Sequence, residues 1–275
     1  MRAETYAMTE PIDLFVEIFA GSLEISTDIA PAIALEVEGK HADEVRVEQQ
    51  EHSLAIYAPK PQGLGSSADW QVHIRVTIPP SSDVKVQSGS ADVTQRGIIS
   101  KLEAKAGSGV VFADQVSNST LIDTGSGRIS VNDVHGDVRL RTGSGGVLAG
   151  LIDAEAMIST GSGEAKIVRF NGELNFKTGS GGLTIDDACG AVRARTGSGT
   201  VSIGRIEHGE IGAKTGSGDV QVSVPTGTPV WTDVLSGRPV ESTLPSAGEP
   251  KPGQNFVRLH ARTGSGVVRL APADA

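Results

Sequence analysis

One tetrad, Thr-Gly-Ser-Gly, recurs through the chain at nearly constant spacing. Complete copies begin at residues 124, 142, 160, 178, 196, 215 and 263, and near copies begin at Ser88 and Ala106. Successive copies from 88 to 215 lie 18 or 19 residues apart. A degenerate copy at Val234–Gly237 and an inserted loop explain the longer gap before Thr263, which gives ten repeats. A short fixed period of this kind indicates stacked copies of one supersecondary unit.

Within each repeat, apolar residues alternate with polar ones. Between Thr124 and Arg141 they fall at Ile129, Val131, Val138 and Leu140, which is the period of a half-buried strand. The position five residues after the tetrad start is apolar in nine repeats: Val93, Val111, Ile129, Val147, Ala165, Leu183, Val201, Val220 and Val268. The position ten residues after it is apolar in seven: Ile98, Val116, Val134, Ile152, Phe170, Ala188 and Ile206.

The repeat length restricts the fold class. About 18 residues are too few for a strand-helix-strand crossover, and a propeller blade needs about 40. Glycine, with 35 of 275 residues, is too frequent for helices. We therefore predict an all-β chain that forms a single-stranded parallel β-helix, or β-solenoid, with about 18 residues per coil. Ten coils at ~4.8 Å each would make a rod of roughly 48 Å.

The whole solenoid is predicted to be one domain over residues 8–271. Residues 8–87 form irregular N-terminal coils and a cap, 88–233 the regular coils, and 234–271 the last coils, with a Pro-rich loop at about 244–255. Val267–Leu270 is the expected last strand, stopped by Pro272. The strands expected before the regular coils are Ile12–Ala20, Leu23–Ser26, Ala32–Glu38, Glu44–Gln49, Leu54–Ala58, Trp70–Ile78 and Val84–Gln87.

The tetrad is predicted to be the corner of each coil. Glycine permits positive φ there, and strand alternation places Thr142 and Ser144 inward with the glycines outward. A phosphate-binding loop lacks its helix and lysine here, and calcium-binding coils need an aspartate at a fixed place in every turn. The corner residues assigned in three consecutive repeats are Gly125, Ser126, Gly127, Gly143, Ser144, Gly145, Gly161, Ser162 and Gly163.

Catalytic and metal-binding patterns are absent from the sequence. The six histidines have no histidine or cysteine within five residues, although His135 and His208 could share a face. Cys189, the single cysteine, has no identifiable partner base, and Asp186-Asp187 is interpreted as a solvated turn. We expect no catalytic residues, no metal and no cofactor. A carbohydrate-active enzyme remains a third alternative because β-helix polysaccharide lyases exist.

A basic stripe is the one candidate binding surface. The residue before the tetrad is basic in six of ten repeats, and alternation makes that position outward-facing. The stripe is assigned to Lys105, Arg139, Arg141, Lys177, Arg193, Arg195, Lys214 and Arg262. It is either a solvated face or a surface for an anionic polymer or an acidic protein. The net charge of −9 argues against nucleic acid.

The tetrad spacing, the Gly-x-apolar-x-apolar strands and the segment Gly227–Val234 together resemble the bacterial putative-adhesin family, over roughly residues 8–271. The resemblance implies a right-handed single-stranded β-helix and carries over no catalytic residues. We therefore expect a non-enzymatic structural or protein-interaction rod, adhesin-like, with an unknown protein or anionic partner. It should be a monomer or associate weakly end to end, since the N-terminal cap is acidic and would repel another copy.

The N-terminal segment indicates the compartment. Its apolar stretch is interrupted by Glu17 and preceded by Glu10 and Asp13, which is unlike a signal peptide. No apolar run is long enough to suggest a membrane span. The expected location is cytoplasmic, with no membrane partner.

Overall fold

The computed structural model describes residues 1–29, 32–60, 70–244 and 253–273. Strands make up 69% of these residues, and the helical structure includes one short 3₁₀ turn, Ala42–Glu44. The predicted all-β class is therefore confirmed. The chain divides into two compact units, Met1–Thr142 and Gly143–Ala275.

Twelve strands lie in the described part of the first unit. They are β1 (Arg2–Tyr6), β2 (Asp13–Ile18), β3 (Ala20–Thr27), β4 (Ile33–Gly39), β5 (Arg46–Gln50), β6 (Ser53–Tyr57), β7 (Gln71–Ile78), β8 (Asp83–Ser88), β9 (Asp92–Ala106), β10 (Val111–Thr124), β11 (Ile129–His135) and β12 (Asp137–Thr142).

Nine strands lie in the described part of the second unit. They are β13 (Val147–Thr160), β14 (Ala165–Thr178), β15 (Leu183–Thr196), β16 (Val201–Thr215), β17 (Val220–Val224), β18 (Val230–Ser236), β19 (Glu241–Ser242), β20 (Val257–Thr263) and β21 (Val268–Pro272).

Parallel pairing in the regular repeats matches the sequence period. In the first unit Val111 pairs with Val93 on one side and Ile129 on the other, at steps of 18 residues. In the second unit β13, β14, β15 and β16 pair in the same way, so that each residue lies beside its copy in the next repeat. The apolar column five residues after the tetrad is buried throughout, as predicted.

The second apolar column needs one correction. Ile98 was assigned to it, but Ile98 is 48% exposed, whereas Ile99 is fully buried and pairs with Val116. Gly97 has a φ of 82° and its N–H donates to the Asp114 carboxylate at 3.1 Å. This irregularity adds one residue to β9, which shifts the inward position from Ile98 to Ile99.

The N-terminal strands agree with the predicted segments to within three residues, and β1 was not predicted. β2 pairs in parallel with β6 and β8, and β3 pairs in parallel with β7 and β9. The prediction of irregular coils in this region is partly wrong, because β1 pairs antiparallel with β4, β4 with β7, and β5 with β6. β5 and β6 are joined by the two-residue turn Glu51-His52, and a turn that short permits only a hairpin.

The last strands are stacked out of chain order. β20 lies between β16 and β18, and β21 pairs with both β17 and β19. Ser236, not Val234, therefore aligns with Thr263. The strand predicted at Val267–Leu270 is confirmed as β21, the last strand in chain order, but it continues through Pro272 and is paired on both sides, with β17 and with β19. Because β20 is inserted next to β16, the complete tetrad that begins at Thr263 lies beside the complete tetrad that begins at Thr215. Of the expected Pro-rich loop, residues 245–252 lie outside the described residues.

The carboxylate of Asp219 binds the segment that carries β20 and β21. Asp219 accepts hydrogen bonds from the Val267 backbone N–H at 2.8 Å and from Arg269 at 2.7 Å, and Arg269 also contacts Glu241 at 2.9 Å. The Val267 hydrogen bond, then the Arg269 hydrogen bond, lowers the pKa of Asp219. Asp92 occupies the same repeat position and accepts from the Val110 N–H at 2.8 Å.

The tetrad corner is partly as expected. Thr142 is buried, and Thr160 donates a hydrogen bond to the Gly163 carbonyl at 2.6 Å and contacts the Thr178 hydroxyl at 2.8 Å. The serines Ser126, Ser144 and Ser162 are exposed, while the next glycines Gly127, Gly145 and Gly163 are buried. The predicted inward serine is wrong because the chain turns after the threonine, and the strand alternation changes phase there.

The tetrad glycines are required for space. None of the described ones has positive φ, which instead occurs at Gly136, Gly172, Gly190 and Gly209 in the second half of the repeat. A Cβ added to Gly163 would overlap the carbonyl oxygen of Gly145 in the neighbouring repeat. Gly161 has the same relation to the carbonyl of Gly143, so close backbone approach, and not φ, selects glycine.

Replacing Gly163 with alanine should lower the free energy of unfolding by roughly 1–3 kcal/mol, because the new methyl group must displace backbone. Gly212→Ala is the matched control, since the atom nearest to its added Cβ is 3.8 Å away. Urea unfolding followed by circular dichroism measures both. Equal losses in the two variants would contradict the close-approach explanation.

The Asp219 interaction should make stability depend on pH. Its pKa is lowered in the folded state, so its contribution is full above the ordinary value of 3.8 and is lost as pH falls through the folded pKa. Asp219→Asn should therefore lower the urea midpoint at about pH 6 and flatten its fall towards about pH 3. The exposed Asp137→Asn serves as control. A variant that keeps the wild-type acid profile would contradict this role.

Candidate binding surface

All eight residues of the predicted stripe are exposed, and in each unit they stand in register columns. In the first unit Lys105 lies between Gln87 and Asp123, and Asp123 separates it from Arg141. Arg139 lies beside Leu121 in the parallel column. The first unit therefore does not bring its predicted cations together.

Acidic side chains neutralise the lysines of this face in the first unit. Glu103 contacts Lys85 at 3.0 Å and Lys105 at 3.5 Å, and Lys101 contacts Asp83 at 2.8 Å. The hydrogen bond from Lys85, with the charges of Lys85 and Lys105, lowers the pKa of Glu103. This outward face is a mixed-charge surface.

The second unit brings four cations into one column. Lys177 pairs in register with Arg195, Arg195 with Lys214, and Lys214 with Arg262. Hydrogen-bonded strands lie ~4.8 Å apart, so the four positions span about 14 Å. Among the described residues, none of the four makes an ion pair, and no acid interrupts the column. We call these four residues the basic column.

The insertion of β20 completes the basic column. Arg262 comes 48 residues after Lys214 in sequence, yet it occupies the next position in the stack. On its other side Arg262 lies beside Leu235 and not beside Asp233, the residue that precedes the degenerate copy at Val234–Gly237. Two uncharged residues therefore bound the basic column: Ser159, beside Lys177, at one end and the exposed Leu235, beside Arg262, at the other.

Arg193 was assigned to the stripe but differs from the basic column. It lies two residues before Arg195, and its guanidinium contacts the Glu173 carboxylate. Its register neighbours are Asn175 and Gly212, neither of which is charged. Arg193 is therefore an ion-paired residue outside the basic column.

A row of serine hydroxyls accompanies the basic column. Each column cation is followed, three residues later, by the exposed tetrad serine. The serines are Ser180, Ser198, Ser217 and Ser265. The backbone N–H of Ser180, of Ser217 and of Ser265 donates to a glycine carbonyl in a neighbouring repeat. Within the part of the chain that the structure covers, the four hydroxyls donate to no protein group, so each repeat presents one cation and one hydroxyl.

One contact was missed from the sequence. Cys189 Sγ lies 3.3 Å from His208 Nε2 across two neighbouring repeats, where the β15–β16 register shifts after Ala188. The 19-residue separation, one repeat, is the signal that could have found this pair. No group of three His, Cys, Asp or Glu side chains able to hold a metal occurs among the described residues.

The Asp186-Asp187 pair borders a groove of about 570 Å³ with Arg205 and Ser223. Asp186 contacts Lys166 at 3.5 Å and Asp187 contacts Arg205 at 4.0 Å. Both carboxylates are therefore engaged by cations in neighbouring repeats. In the described segments no helix has the length and apolar character needed to cross a bilayer.

The basic column should cost stability at low salt, because like charges directly opposite each other across strands repel. At low salt, the free energy of unfolding of the variant Lys177→Ser/Arg195→Ser/Lys214→Ser should be about 1 kcal/mol higher than that of the wild type. Added salt should remove the difference. The matched control, Lys85→Ser/Lys101→Ser/Lys105→Ser, removes paired lysines and should be destabilised. The same sign of change in both variants would contradict the charge assignment.

No family model matches the sequence, and no curated protein matches it. Solved structures do share the fold. A putative adhesin from Parabacteroides merdae aligns with a TM-score of 0.57 at 14% identity, covering 80% of this chain and 95% of that chain. A putative lipid binding protein from Parabacteroides distasonis aligns with a TM-score of 0.51 at 14% identity, covering 98% and 96%. At this identity the likeness concerns the fold alone.

Proposed function

We propose that the chain is a non-enzymatic, adhesin-like binding module that recognises an anionic partner through the basic column. We further propose that its repeats form a right-handed parallel β-solenoid in one domain over residues 8–271, within the putative-adhesin family. The parallel 18-residue register and the fold likeness to a putative adhesin support the architecture. The observation that carries the function is the column of four exposed cations without counter-charges.

Electrostatics favours a binding role over a solvated face. A face that serves solubility gains by interspersing acids, as the first unit does around Lys105 and Glu103. In the second unit the cations repel one another, and an anionic partner relieves that repulsion while it gains four attractions. Because the whole chain carries a net charge of −9, the positive potential is confined to the basic column. An anionic partner is therefore attracted only where it contacts the column.

The candidate catalytic groups support a non-enzymatic role. Asp186 lies 3.5 Å from Lys166, and Asp187 lies 4.0 Å from Arg205, whose guanidinium also contacts Glu207 at 2.8 Å, so both carboxylates belong to surface ion pairs, which supports this role. Cys189 is half-buried and His208 is exposed, and no third side chain orients the imidazole among the described residues.

Location and assembly remain predictions. The cytoplasmic location is tested by protease accessibility in intact cells compared with lysed cells. A monomeric or weakly end-associating state is tested by light scattering over a concentration series. The outermost strand β18 leaves Trp231 52% exposed and Leu235 68% exposed, which supports weak pairing through that end.

Binding to a dextran sulfate resin tests the function. The wild-type chain should be retained and elute with salt, because screening weakens exposed charge interactions. Lys177→Ser/Arg195→Ser/Lys214→Ser should elute at clearly lower salt, whereas Lys85→Ser/Lys101→Ser/Lys105→Ser, with the same change in net charge, should elute near wild type. Equal elution of the two triple variants would overturn the proposal.

A further inference from the structure

Strand β18 has one unpaired edge. It pairs in parallel with β20 over Val230–Ser236, and among the described residues no strand pairs with its other side. The N–H of Val257 donates to the Pro229 carbonyl at 3.0 Å, so the odd-numbered residues of β18 direct their backbone groups towards β20. The even-numbered residues, from Val230 to Ser236, therefore direct their N–H and C=O groups towards the open side.

The side chains of β18 also lack the cover that β20 has. Leu259 and Ala261 of β20 are fully buried. Their register partners in β18 are Thr232, which is exposed, and Val234, which is half-buried. β20 has a strand on each side, whereas β18, within the described part of the chain, has one on a single side. A further strand on the open side of β18 would therefore bury this row.

The open edge of β18 is less protected than the other edge strands. Proteins commonly block strand edges with charged residues, proline, bulges or very short strands. β1 and β5 of the first unit each carry two charged residues in five. β18 has seven residues, no proline, an unbroken register with β20 and one charge, Asp233. Its exposed Trp231 and Leu235 add apolar surface beside the open backbone groups.

Going beyond the proposed function, we propose that β18 pairs antiparallel with β18 of a second copy and forms a two-fold dimer. A two-fold interface uses the same surface of both copies, so the strand must complement itself. Pairing over the full length centres on the midpoint, Asp233. In that register the outward backbone groups of the two strands face each other, and Trp231 lies opposite the partner's Leu235, which is a favourable cross-strand pair.

The charge distribution favours this pairing over contacts through the N-terminal strands. Residues 1–87 hold 6 basic and 14 acidic residues, whereas residues 225–275 hold 5 and 4. Contact between two N-terminal segments would oppose like charges, and contact between two C-terminal segments would not. Pairing of β18 with β1 or β5 of a second copy would place Trp231 and Leu235 against charged strands.

The dimer should be weak. Seven residues from each copy make an interface smaller than the standard size of stable complexes. The two-fold register also places Asp233 opposite its own copy, and like charges directly opposite each other across strands repel. Asp233→Asn should therefore strengthen dimerisation, roughly twofold to fivefold.

Sedimentation velocity of the full chain over about 10–1,000 µM should show a monomer–dimer equilibrium. Leu235→Ser should weaken the dimer about tenfold, because each copy loses an apolar contact. Leu148→Ser, which changes an exposed leucine of β13, is the matched control and should dimerise like the wild type. Thr232→Pro should abolish the dimer, because it removes an N–H that faces the open side and none that faces β20. Urea midpoints near the wild-type value exclude misfolding.

Three outcomes would overturn the dimer: a monomer at every concentration, growth beyond two copies, or equal association of the Leu235→Ser and Leu148→Ser variants. Growth beyond two copies would indicate head-to-tail contacts, which do not close. The dimer is independent of the basic column, so Lys177→Ser/Arg195→Ser/Lys214→Ser should dimerise like the wild type. Loss of the dimer proposal would thus leave the anionic function standing, and the reverse also holds.

Discussion

Backbone hydrogen bonding between successive tetrads fixes the register on which the rest of each unit depends. In the second unit the N–H of Gly161 donates to the Gly143 carbonyl at 2.8 Å, and those of Gly179 and Gly197 repeat the contact one repeat further on at 2.9 Å. The approach is so close that no side chain fits between the two strands. Because each corner is locked onto its neighbour, the strand that leads into it is stacked on its own copy, and one sequence column becomes one physical column there.

Features that depend on this register alone were predictable from the sequence. The repeat length, the buried column around Val147 and the outward cations result from period and alternation, so they were accessible without coordinates. The phase change at the corner was not, because alternation says nothing about a turn, and Ser144 was placed inward. Ile98 was misplaced because the irregularity at Gly97 depends on a hydrogen bond to Asp114, a residue of the next strand.

The candidate binding surface could be predicted only in part from the sequence, for a related reason. A sequence column shows which residues are stacked but not which charges from other columns reach them, so Glu103 beside Lys105 and Glu173 beside Arg193 were not anticipated. The neighbour of Lys214 was assigned from chain order, and strand order there departs from chain order. The same sequence repeat thus carries a surface of paired charges in the first unit and a column of unpaired cations in the second.

The position of β20 between β16 and β18 also has a consequence for how the second unit is made. The ribosome releases β18 before β20, and both can pair with the same edge of β16 because each is a copy of one repeat. If β18 settles there first, the later strand finds its place taken, and the chain must reopen a formed ladder. Correct stacking of this end therefore requires that β18 leave the edge of β16 open until β20 has been synthesised, so the order in which the strands dock matters as well as their final contacts.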